Sequence, residues 1–597
     1  MDYLKKTIPD SQNPDEELED FGFYIYGSKY FTKEAKGKKT VKIELSNWVG
    51  SSEFHLVNGT NNSKRIIRIQ RNTLEQLIVE VQSSEMKLDS FEVILKSKQC
   101  TFYGNTYQLK RIFARWMDNE IQANIIETLG WNREHQIYAF ANAVFTSKGK
   151  LVKSNEVGIV DDPDDESKKY YLPAFGLAHL NNTDYDGERK FIYIDGTLNF
   201  EQWAKLYYEA FESNGGIAIL FLILSVYWDI VFDQVGFFPF LFLFGAYGTG
   251  KTKMVENLLR LFGKDFIGIP MNNATQVGLS RTIASRNNSI FYLKEYTTDT
   301  DEANQDLLLT AYDGSGRATG VKSNDNRTKV SQVKSAIILD GNHLPTQKTA
   351  VLSRMVLLNF ENNRFSDTQR KAFAELEQLQ DKGFGKVLTE IMKHREHFQK
   401  GFKKTFDENM KELREMVKAD FAERTLKHVA LLLTPAKLLI KKLKFPFSFN
   451  EITNAVVDNA IEQNRLLKQT DEITVFWIAF AWGVKNGNLV RYIRETDNKK
   501  SAHYNLKWNE ASEPILQIKL PGIFPEYVKY CKNNGQRFLD SNSLKMLLTS
   551  KAYQPFIPNL QKKRGNAYTD FYFGSCYQFQ LISSENGFSI NEVELNM

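Results

Sequence analysis

The pattern of apolar and polar residues divides the chain into segments of different character. From residue 21 to about 107, short runs such as FGFYIYG, KTVKIELSNW and LIVEVQ are separated by Gly, Asn and Ser clusters. Alternation with a period of two is typical of antiparallel strands. This part of the sequence therefore predicts a β-rich N-terminal domain over residues 21–115, preceded by a loose acidic segment at residues 1–20.

Helical and strand patterns are mixed in the middle of the chain. Residues 107–130 are the more helical part, and residues 131–152 return to alternation. We expect a mixed α/β linker domain over 116–200, followed by an α/β core over 201–365. At the start of that core, a helix is predicted over 200–213, followed by a second helix from residue 215. The second helix is expected to be buried in the protein, because its apolar run, residues 217–228, is shorter than a bilayer span.

The last part of the chain is first helical and then again rich in strands. Charged amphipathic sequence such as FSDTQRKAFAELEQLQ predicts a helical lid and its extension over 366–490. A capped helix followed by a basic, aromatic-rich hairpin has the outline of a winged helix, which we expect over 491–597. The predicted fold class is therefore a multidomain α/β protein.

Composition limits the possible functions. A chain of 597 residues is too long for one core and suggests about three to five folding units. The net charge of +5 is small for this length, so any nucleic-acid surface must be local. The three cysteines, Cys100, Cys531 and Cys576, have no metal-ligand or disulfide spacing, and the N-terminus lacks the apolar core of a signal peptide. We expect a cytoplasmic protein with no membrane contact.

The strongest motif is FFPFLFLFGAYGTGKT at residues 237–252. A buried strand is predicted to lead into G-x-x-x-x-G-K-T, the phosphate-binding loop of P-loop nucleotidases. In this motif Lys251 would contact the β and γ phosphates of ATP, and the Thr252 hydroxyl would bind Mg²⁺. The expected nucleotide-binding residues are Gly245, Gly248, Thr249, Gly250, Lys251 and Thr252.

A second buried strand, SIFYLKEY, ends in Lys294 and Glu295. Its position predicts a Walker B element in which Glu295 polarises the attacking water and shares the Mg²⁺ site with Thr252. Lys294 stands where an aspartate is usual. Its ammonium would either compete with Mg²⁺ and slow hydrolysis, or turn away to pair with Asp299 or Asp301.

Two further catalytic candidates follow. Asn342 ends the next buried strand, SAIILDGN, and could orient the hydrolytic water. Arg354 comes twelve residues later and could reach a γ-phosphate across a subunit boundary. Each assignment is weak alone, because Asn342 could be a turn residue and Arg354 a surface partner for an acid. With the loop of Lys251 and the strand of Glu295 they make four elements in order, which favours an ATP hydrolase whose ATPase core is residues 201–365.

Two basic segments could contact DNA. Residues 311–334 carry a net charge of +3 within a Gly-rich stretch that predicts a hairpin. Residues 535–565 carry +5 and include Lys562, Lys563 and Arg564. A DNA contact is favoured for the second segment, and a solvated loop or a docking surface for a protein partner is the alternative.

The series GAYGTGKT, IFYLKE, basic hairpin, AIILDGN and SRMVLLNF resembles the AAA+ motors of helicase superfamily 3 and the related MCM-like helicases of phages, plasmids and mobile genomic islands. The resemblance covers roughly residues 20–365 and, more faintly, the C-terminal end. It implies an ATP-driven replicative DNA helicase that forms a ring, expected to be a homo-hexamer, and translocates on single-stranded DNA at a forked duplex. It also implies that Lys322, Arg327 and Lys329 line the pore of the ring.

Two alternative functions remain open from the sequence. The departure at Lys294 is compatible with an ATP-binding loader or origin-binding assembly factor that hydrolyses slowly. Asp184 and Asp186 form a D-x-D pattern that a primase-helicase fusion would use to bind two metals, although their surroundings, NNTDYDGER, predict a turn. A separate primase or loader is a possible partner of the helicase.

Overall fold

The structure is a computed structural model in which part of the chain can be described. The described residues are 7–59, 63–71, 76–118, 120–297, 300–316, 318–320, 328–342, 349–360, 365–416, 421–470, 472–494, 498–508, 514–536, 538–549, 556–557, 568–570 and 573–580.

The N-terminal part is rich in strands, as predicted. Strands β1 to β3 form a three-stranded sheet, and β4 to β6 belong to a larger sheet that buries Trp48 and Phe91 between its face and two helices. The elements are α1 (Pro14–Phe21), β1 (Tyr24–Ile25), β2 (Tyr30–Lys36), β3 (Lys39–Glu44), β4 (Val49–Val57), β5 (Lys64–Gln70), β6 (Gln76–Gln82), α2 (Leu88–Ser97) and α3 (Thr106–Met117).

Helix α1 lies in the segment that we expected to be loose. It begins with Pro14 in the first turn, where the missing N–H is not needed, and three acidic residues follow at the positive end of the helix dipole. Gly22 ends the helix in a left-handed conformation with φ of 78°. These local signals, and an ion pair of 2.7 Å between Glu17 and Arg115 on α3, order the segment.

The next segment contains strands and short 3₁₀ turns, and no α-helix lies between α3 and residue 200 among the described residues. The strands are β7 (Ile121–Ile125), β8 (Leu129–Asn132), β9 (Ile137–Ala139), β10 (Ala143–Thr146), β11 (Leu151–Lys153), β12 (Ile159–Asp161) and β13 (Lys169–Tyr171). The helical pattern predicted over 107–130 is therefore wrong beyond Met117. Residues of β7 pair in parallel with both β4 and β13, and these distant partners provide the backbone hydrogen bonds.

This pairing runs across the position where the sequence predicts a boundary between two domains. A six-stranded sheet has the order β12-β13-β7-β4-β5-β6, so the boundary expected at residue 115/116 falls within one sheet.

The nucleotide-binding core expected from the sequence is a parallel sheet surrounded by helices. Its elements are α4 (Phe200–Val226), α5 (Trp228–Val235), β14 (Phe240–Gly245), α6 (Lys251–Leu259), β15 (Ile269–Pro270), α7 (Gln276–Ile283), β16 (Arg286–Asn287), β17 (Ile290–Tyr296), α8 (Glu302–Tyr312), β18 (Ala318–Gly320), β19 (Thr328–Val330), β20 (Ala336–Gly341), α9 (Thr349–Leu352) and β21 (Met355–Phe360). The sheet order is β15-β17-β20-β14-β21, and every pair is parallel.

Helix α4 contains the long apolar run. Glu212 has a non-helical backbone, with φ of 51°, so two helices meet there, close to the break that the sequence predicted. By length and composition α4 is the one described helix that could cross a membrane, but 72% of its most apolar window is buried inside the protein. Residues 215–226 are fully buried, as expected for a core helix.

Strand β16 joins the core to the preceding sheet. It pairs in parallel with β8 and thereby extends the five-stranded sheet β11-β10-β9-β8-β16. Gly130, with φ of 87°, allows this approach, because a Cβ atom there would lie 1.9 Å from the Asn287 carbonyl oxygen.

The lid and C-terminal segments follow. Residues 367–470 are helical as predicted, in α10 (Asp367–Gln380), α11 (Gly385–Met392), α12 (Arg395–Met416), α13 (Glu423–Leu439) and α14 (Phe449–Thr470). The C-terminal unit has α15 (Glu472–Lys485), β22 (Tyr504–Trp508), β23 (Pro514–Ile518), α16 (Leu520–Asn533), α17 (Ser541–Leu548), β24 (Phe556–Ile557), β25 (Tyr568–Asp570) and β26 (Gly574–Gln580). Helix α15, which lies before the predicted boundary at residue 490/491, places its Phe476 and Trp477 side chains in the C-terminal core.

Candidate nucleotide-binding site

The candidate site lies at the carboxyl edge of the five-stranded parallel sheet. Strand β14 lies between β20 and β21; the chain that leaves it crosses to β15 at one edge of the sheet, whereas the chain that leaves β20 passes β14 to form β21 at the other edge. In open parallel sheets, ligands bind where the strand order reverses in this way, outside the carboxyl ends of the strands. The glycine-rich loop after β14 is therefore at the position where a ligand is expected.

The glycines of this loop are needed for its path. A Cβ atom on Gly245 would lie 2.2 Å from the Phe360 carbonyl oxygen on β21. Gly248 and Gly250 have φ of 81° and 90°, in the left-handed region that L-residues adopt at a cost. Gly250 is followed directly by α6, so backbone N–H groups and the positive helix end face the loop. The buried Thr249 closes the turn by donating its hydroxyl to the Ala246 carbonyl at 2.9 Å.

Lys251 lies across the base of the loop. Its ammonium donates to the carbonyl oxygens of Gly245 and Ala246, both at 2.7 Å, and to Asn342 Oδ1 at 3.3 Å. Burial lowers the pKa of Lys251, and the negative charge of Asp340 opposes that shift. The ammonium is thus held at the base of the loop by two backbone carbonyl oxygens and by the side chain of Asn342.

Thr252 belongs to a chain of hydroxyl contacts. Its side chain neighbours the Tyr292 hydroxyl and lowers that group's pKa, and the Tyr292 hydroxyl donates to Asp340 Oδ2 at 2.7 Å. Burial, assisted by the charge of Asp340, raises the pKa of Tyr292, so this hydroxyl keeps its proton. The chain links the first turn of α6 to strands β17 and β20.

Glu295 has an unusual backbone. Its φ is 59°, and the pairing of β17 with β20 shifts register between Leu293 and Tyr296. The Glu295 N–H donates to Asp340 Oδ1 at 2.8 Å, and the side chain is exposed to the cleft. A left-handed L-residue of this kind costs roughly 1–3 kcal/mol and is frequent at functional sites.

These residues surround one cavity of about 590 Å³. Among those that line it are Thr249, Lys251, Thr252, Glu295, Asp340 and Asn342. The structure thus brings together the loop, Glu295 and Asn342, which the sequence analysis named as candidates. Its oxygen donors include the Thr252 hydroxyl and the Glu295 and Asp340 carboxylates. They are of the hard type that Mg²⁺ prefers, so the residues present fit this ion.

Lys294 is absent from the described lining of this cavity. Its ammonium lies 5.6 Å from the centre of the Tyr292 ring, and its stem lies where a Cβ atom on Gly268 would be. No ion pair joins it to Asp301 among the described residues; Asp301 instead caps α8, accepting the Ala303 N–H at 3.0 Å. Asp299, the other expected partner, lies outside the described residues.

Arg354 lies far from this cleft. Phe240 is paired with Met355 and Gly245 with Phe360, so Arg354 is at the amino edge of the sheet and the loop at the carboxyl edge. Six residues of strand separate them by about 20 Å. The Arg354 side chain donates to the Ala350 carbonyl at 2.8 Å and lies 5.3 Å from the centre of the Tyr312 ring. Arg424 of α13 lies against the same ring, at 5.8 Å.

The predicted DNA-contacting residues are only partly within the described chain. Strands β18 and β19 form the expected hairpin, and Lys329 lies on β19. Lys322 and Arg327 lie outside the described residues, as do Lys562, Lys563 and Arg564 in the C-terminal segment.

Asp184 and Asp186 lie in a 3₁₀ turn, as their surroundings predicted. Asp184 is exposed, and Asp186 forms an ion pair of 2.8 Å with Arg189 three residues later. Within the described ranges, no group of three or more His, Cys, Asp or Glu residues could hold a metal ion.

Sequence reasoning missed Tyr292 and Asp340. Asp340 is 6% exposed and lies two residues before Asn342, at the end of a buried strand. An acid at the carboxyl end of a parallel strand is the signal that could have identified it. Tyr292 had no such signal, because an aromatic residue in a buried strand is ordinary.

The fold and site define an α/β protein in which a glycine-rich loop and acidic strand ends share one cleft. No protein-family model matches the chain, and no curated protein matches it. Among solved structures, 94% of the chain aligns with 96% of the chain described as "SCCmec type IV Cch - active helicase", at 14% identity and a TM-score of 0.57. The protein therefore has the overall fold of a helicase.

Two other solved structures are more distant. One is "The A form apo structure of NrS-1 C terminal region-CTR", which aligns over 88% of this chain and 95% of that chain at 11% identity and a TM-score of 0.34. The other is a JCV helicase with a bound phenoxyphenyl acetamide compound, which aligns over 36% of this chain and 65% of that chain at 15% identity and a TM-score of 0.22. Neither likeness is high enough to bear on the fold.

Proposed function

We propose that the protein is an ATP-dependent replicative DNA helicase of a mobile genetic element, which translocates on single-stranded DNA as a ring of identical subunits, expected to be a hexamer. The observation that carries the proposal is the shared cleft. Lys251, Thr252, Glu295 and Asn342 come from three separate strand ends, and they line one cavity beside a glycine-rich loop in a chain with a helicase fold.

The residues of the cleft divide the chemistry of ATP hydrolysis. The loop N–H groups and Lys251 bind the phosphates, and Asn342, which contacts the Lys251 ammonium, orients the hydrolytic water. Glu295 accepts a proton from that water. Thr252 and Glu295 are the expected holders of Mg²⁺, which when bound neutralises charge on the phosphates. Arg354 acts on the cleft of a neighbouring subunit, since it is about 20 Å from its own loop.

DNA is contacted at two places in this proposal. The β18–β19 hairpin brings Lys322, Arg327 and Lys329 to the pore of the ring. The basic C-terminal segment with Lys562, Lys563 and Arg564, part of a winged helix, binds the forked duplex. Both assignments rest on sequence charge and on the resemblance, with the paired strands of the hairpin as structural support.

The test of the proposal is Lys251→Ala, measured beside the wild-type protein for ATPase activity with and without single-stranded DNA and for unwinding of a forked duplex. Hydrolysis is expected to vanish and nucleotide binding to weaken, because the variant lacks the buried cation at the loop. Lys264→Ala, an exposed lysine beyond the end of α6, is the matched control and should keep wild-type turnover. Wild-type turnover in Lys251→Ala would refute the assignment of the loop.

The same preparation distinguishes the alternatives. A wild-type protein that binds ATP but shows neither stimulated hydrolysis nor unwinding would be the loader or assembly factor. Primer synthesis on a single-stranded template would indicate the primase fusion. Particle images with an ATP analogue and single-stranded DNA should show closed rings, and a persistent monomer would contradict the ring.

A further inference from the structure

Asp340 is a buried carboxylate at the cleft, and the division of roles given above does not use it. It is 6% exposed, lines the cavity and lies on β20, between the strand of the loop and the strand of Glu295. We propose that Asp340 is a positioning residue that organises the Mg²⁺ side of the cleft by orienting Thr252 and holding Glu295. This inference rests on the proposed nucleotide hydrolysis and deepens it.

The first contact of Asp340 orients Thr252. The Tyr292 hydroxyl donates to Asp340 Oδ2 at 2.7 Å, so its oxygen keeps lone pairs that can accept a hydrogen bond from the neighbouring Thr252 side chain, which acts on the pKa of Tyr292. A Thr252 hydroxyl that donates toward Tyr292 keeps its lone pairs free for a cation in the cleft. Carboxylates that fix the orientation of a metal ligand in this indirect way commonly change metal affinity by about 10- to 100-fold.

The second contact holds Glu295. Asp340 Oδ1 accepts the Glu295 N–H at 2.8 Å, where the strand pairing shifts register and Glu295 adopts φ of 59°. A residue in this region stays there only when its surroundings hold it. The two oxygens of Asp340 thus have separate partners. Oδ2 acts on the Thr252 hydroxyl through Tyr292, and Oδ1 holds the backbone of Glu295, whose carboxylate faces the cleft.

Position 294 cannot supply this function. The Lys294 side chain is a cation that lies against the Tyr292 ring and Gly268, and it does not appear in the described lining of the cavity. Asp340 reaches the same region from the neighbouring strand. Its negative charge also acts on the Lys251 ammonium, whose pKa it raises against the effect of burial.

The test compares Asp340→Asn with Tyr292→Phe in the full-length protein. Asp340→Asn keeps the shape and can still accept the Glu295 N–H, but it loses the charge. Tyr292→Phe breaks only the Thr252 branch. Binding of a fluorescent, non-hydrolysable ATP analogue is measured against Mg²⁺ concentration and again in EDTA, and ATPase rates are measured in parallel.

We expect Asp340→Asn to raise the Mg²⁺ concentration for half-maximal analogue binding by about tenfold or more, with little change in EDTA. Tyr292→Phe should raise it as well, and kcat should fall less than in Asp340→Asn, because Tyr292→Phe leaves the charge of Asp340 in place. A wild-type Mg²⁺ requirement in both variants would overturn the inference. If Asp340→Asn does not unfold cooperatively, Tyr292→Phe alone decides by the same criterion. A wild-type protein that shows no Mg²⁺-dependent nucleotide binding would instead refute the proposed function.

Discussion

Arg354→Ala is expected to abolish hydrolysis in a pure preparation and to be partly rescued by subunits whose own loop is inactive. The reason is the position of Arg354 at the amino edge of the sheet. This position follows from the pairing of the next residue, Met355, with Phe240 at the start of β14. The loop is at the other edge, about 20 Å away along the strands. Arg354 therefore cannot serve its own cleft, and in a ring it would serve the cleft of the adjacent subunit.

The size of the effect can be worked out for both experiments. Removal of an arginine finger lowers kcat by about 10³- to 10⁵-fold, so Arg354→Ala alone should have no measurable turnover. In an equal, random mixture of the two variants, an interface is active when an Arg354→Ala subunit provides the intact loop and a Lys251→Ala subunit provides the intact arginine. That combination occurs at about a quarter of interfaces, so about 25% of wild-type activity should return if interfaces act independently.

The assay is ATPase rate against mixing ratio, with mixed rings verified by mass measurement. Arg424→Ala is the matched control, because Arg424 lies against the same Tyr312 ring and its Nη1 donates to Ser353 Oγ at 2.6 Å. It should hydrolyse ATP at close to the wild-type rate. No recovery at any ratio would give Arg354 a structural role through Ala350 and Tyr312. Loss and rescue in Arg424→Ala instead would mean that the finger was assigned to the wrong arginine.

Three other predictions follow from the sequence and the structure. Changing Lys322, Arg327 and Lys329 to Ala should cut unwinding and flatten the salt dependence of single-strand binding, because fewer counterions are released; equal loss of basal ATPase would assign the hairpin to the nucleotide site. Lys294→Ala should leave the Mg²⁺ concentration for half-maximal ATPase unchanged, since its ammonium lies beside the Tyr292 ring; a lower requirement would show that this ammonium competes with the metal. Burial lowers the pKa of His428 to about 3, so the unfolded chain binds the proton first as pH falls. The stability that neutral His428 contributes is complete above about pH 6.5 and is lost below it by up to about 1.4 kcal/mol per pH unit. Denaturant titrations at pH 7.5 and 5.5 should show a larger loss in the wild type than in His428→Gln, in which the partly buried His135, His394 and His503 keep their lowered pKa values, and equal losses in the two proteins would contradict it.

The pieces of the site that depend on contiguous residues were predictable. The apolar run before Gly245 and the glycines after it predicted a buried strand, a turn and a helix starting at Lys251, and the structure has β14 and α6 there. The break between the two halves of α4 was predicted within a few residues, since the patterns on its two sides differ. In these cases the residues that determine the structure lie within one helix or strand, and a pattern of apolar and polar residues describes a segment of that length.

Pairing between distant segments was outside the reach of these patterns. Residues 121–125 have a helical apolar spacing, yet they form β7, because β4 and β13 offer backbone partners on both sides. The two residues of β16 are a strand only because Gly130 lets them approach β8.

By itself, the sequence determined which strands are buried, where the glycine-rich loop lies and which acidic and polar residues end the strands beside it. The tertiary structure decided the order of those strands in the sheet, and that order determines which side chains at the strand ends contact one another. Because β20 lies between β14 and β17, Asp340 contacts Tyr292 and Glu295 and acts on Lys251, whereas Arg354 is carried to the opposite edge of the sheet. Hydrogen bonds and charge interactions depend on distances of a few ångströms, and across strands that are far apart in the chain only the folded sheet sets those distances.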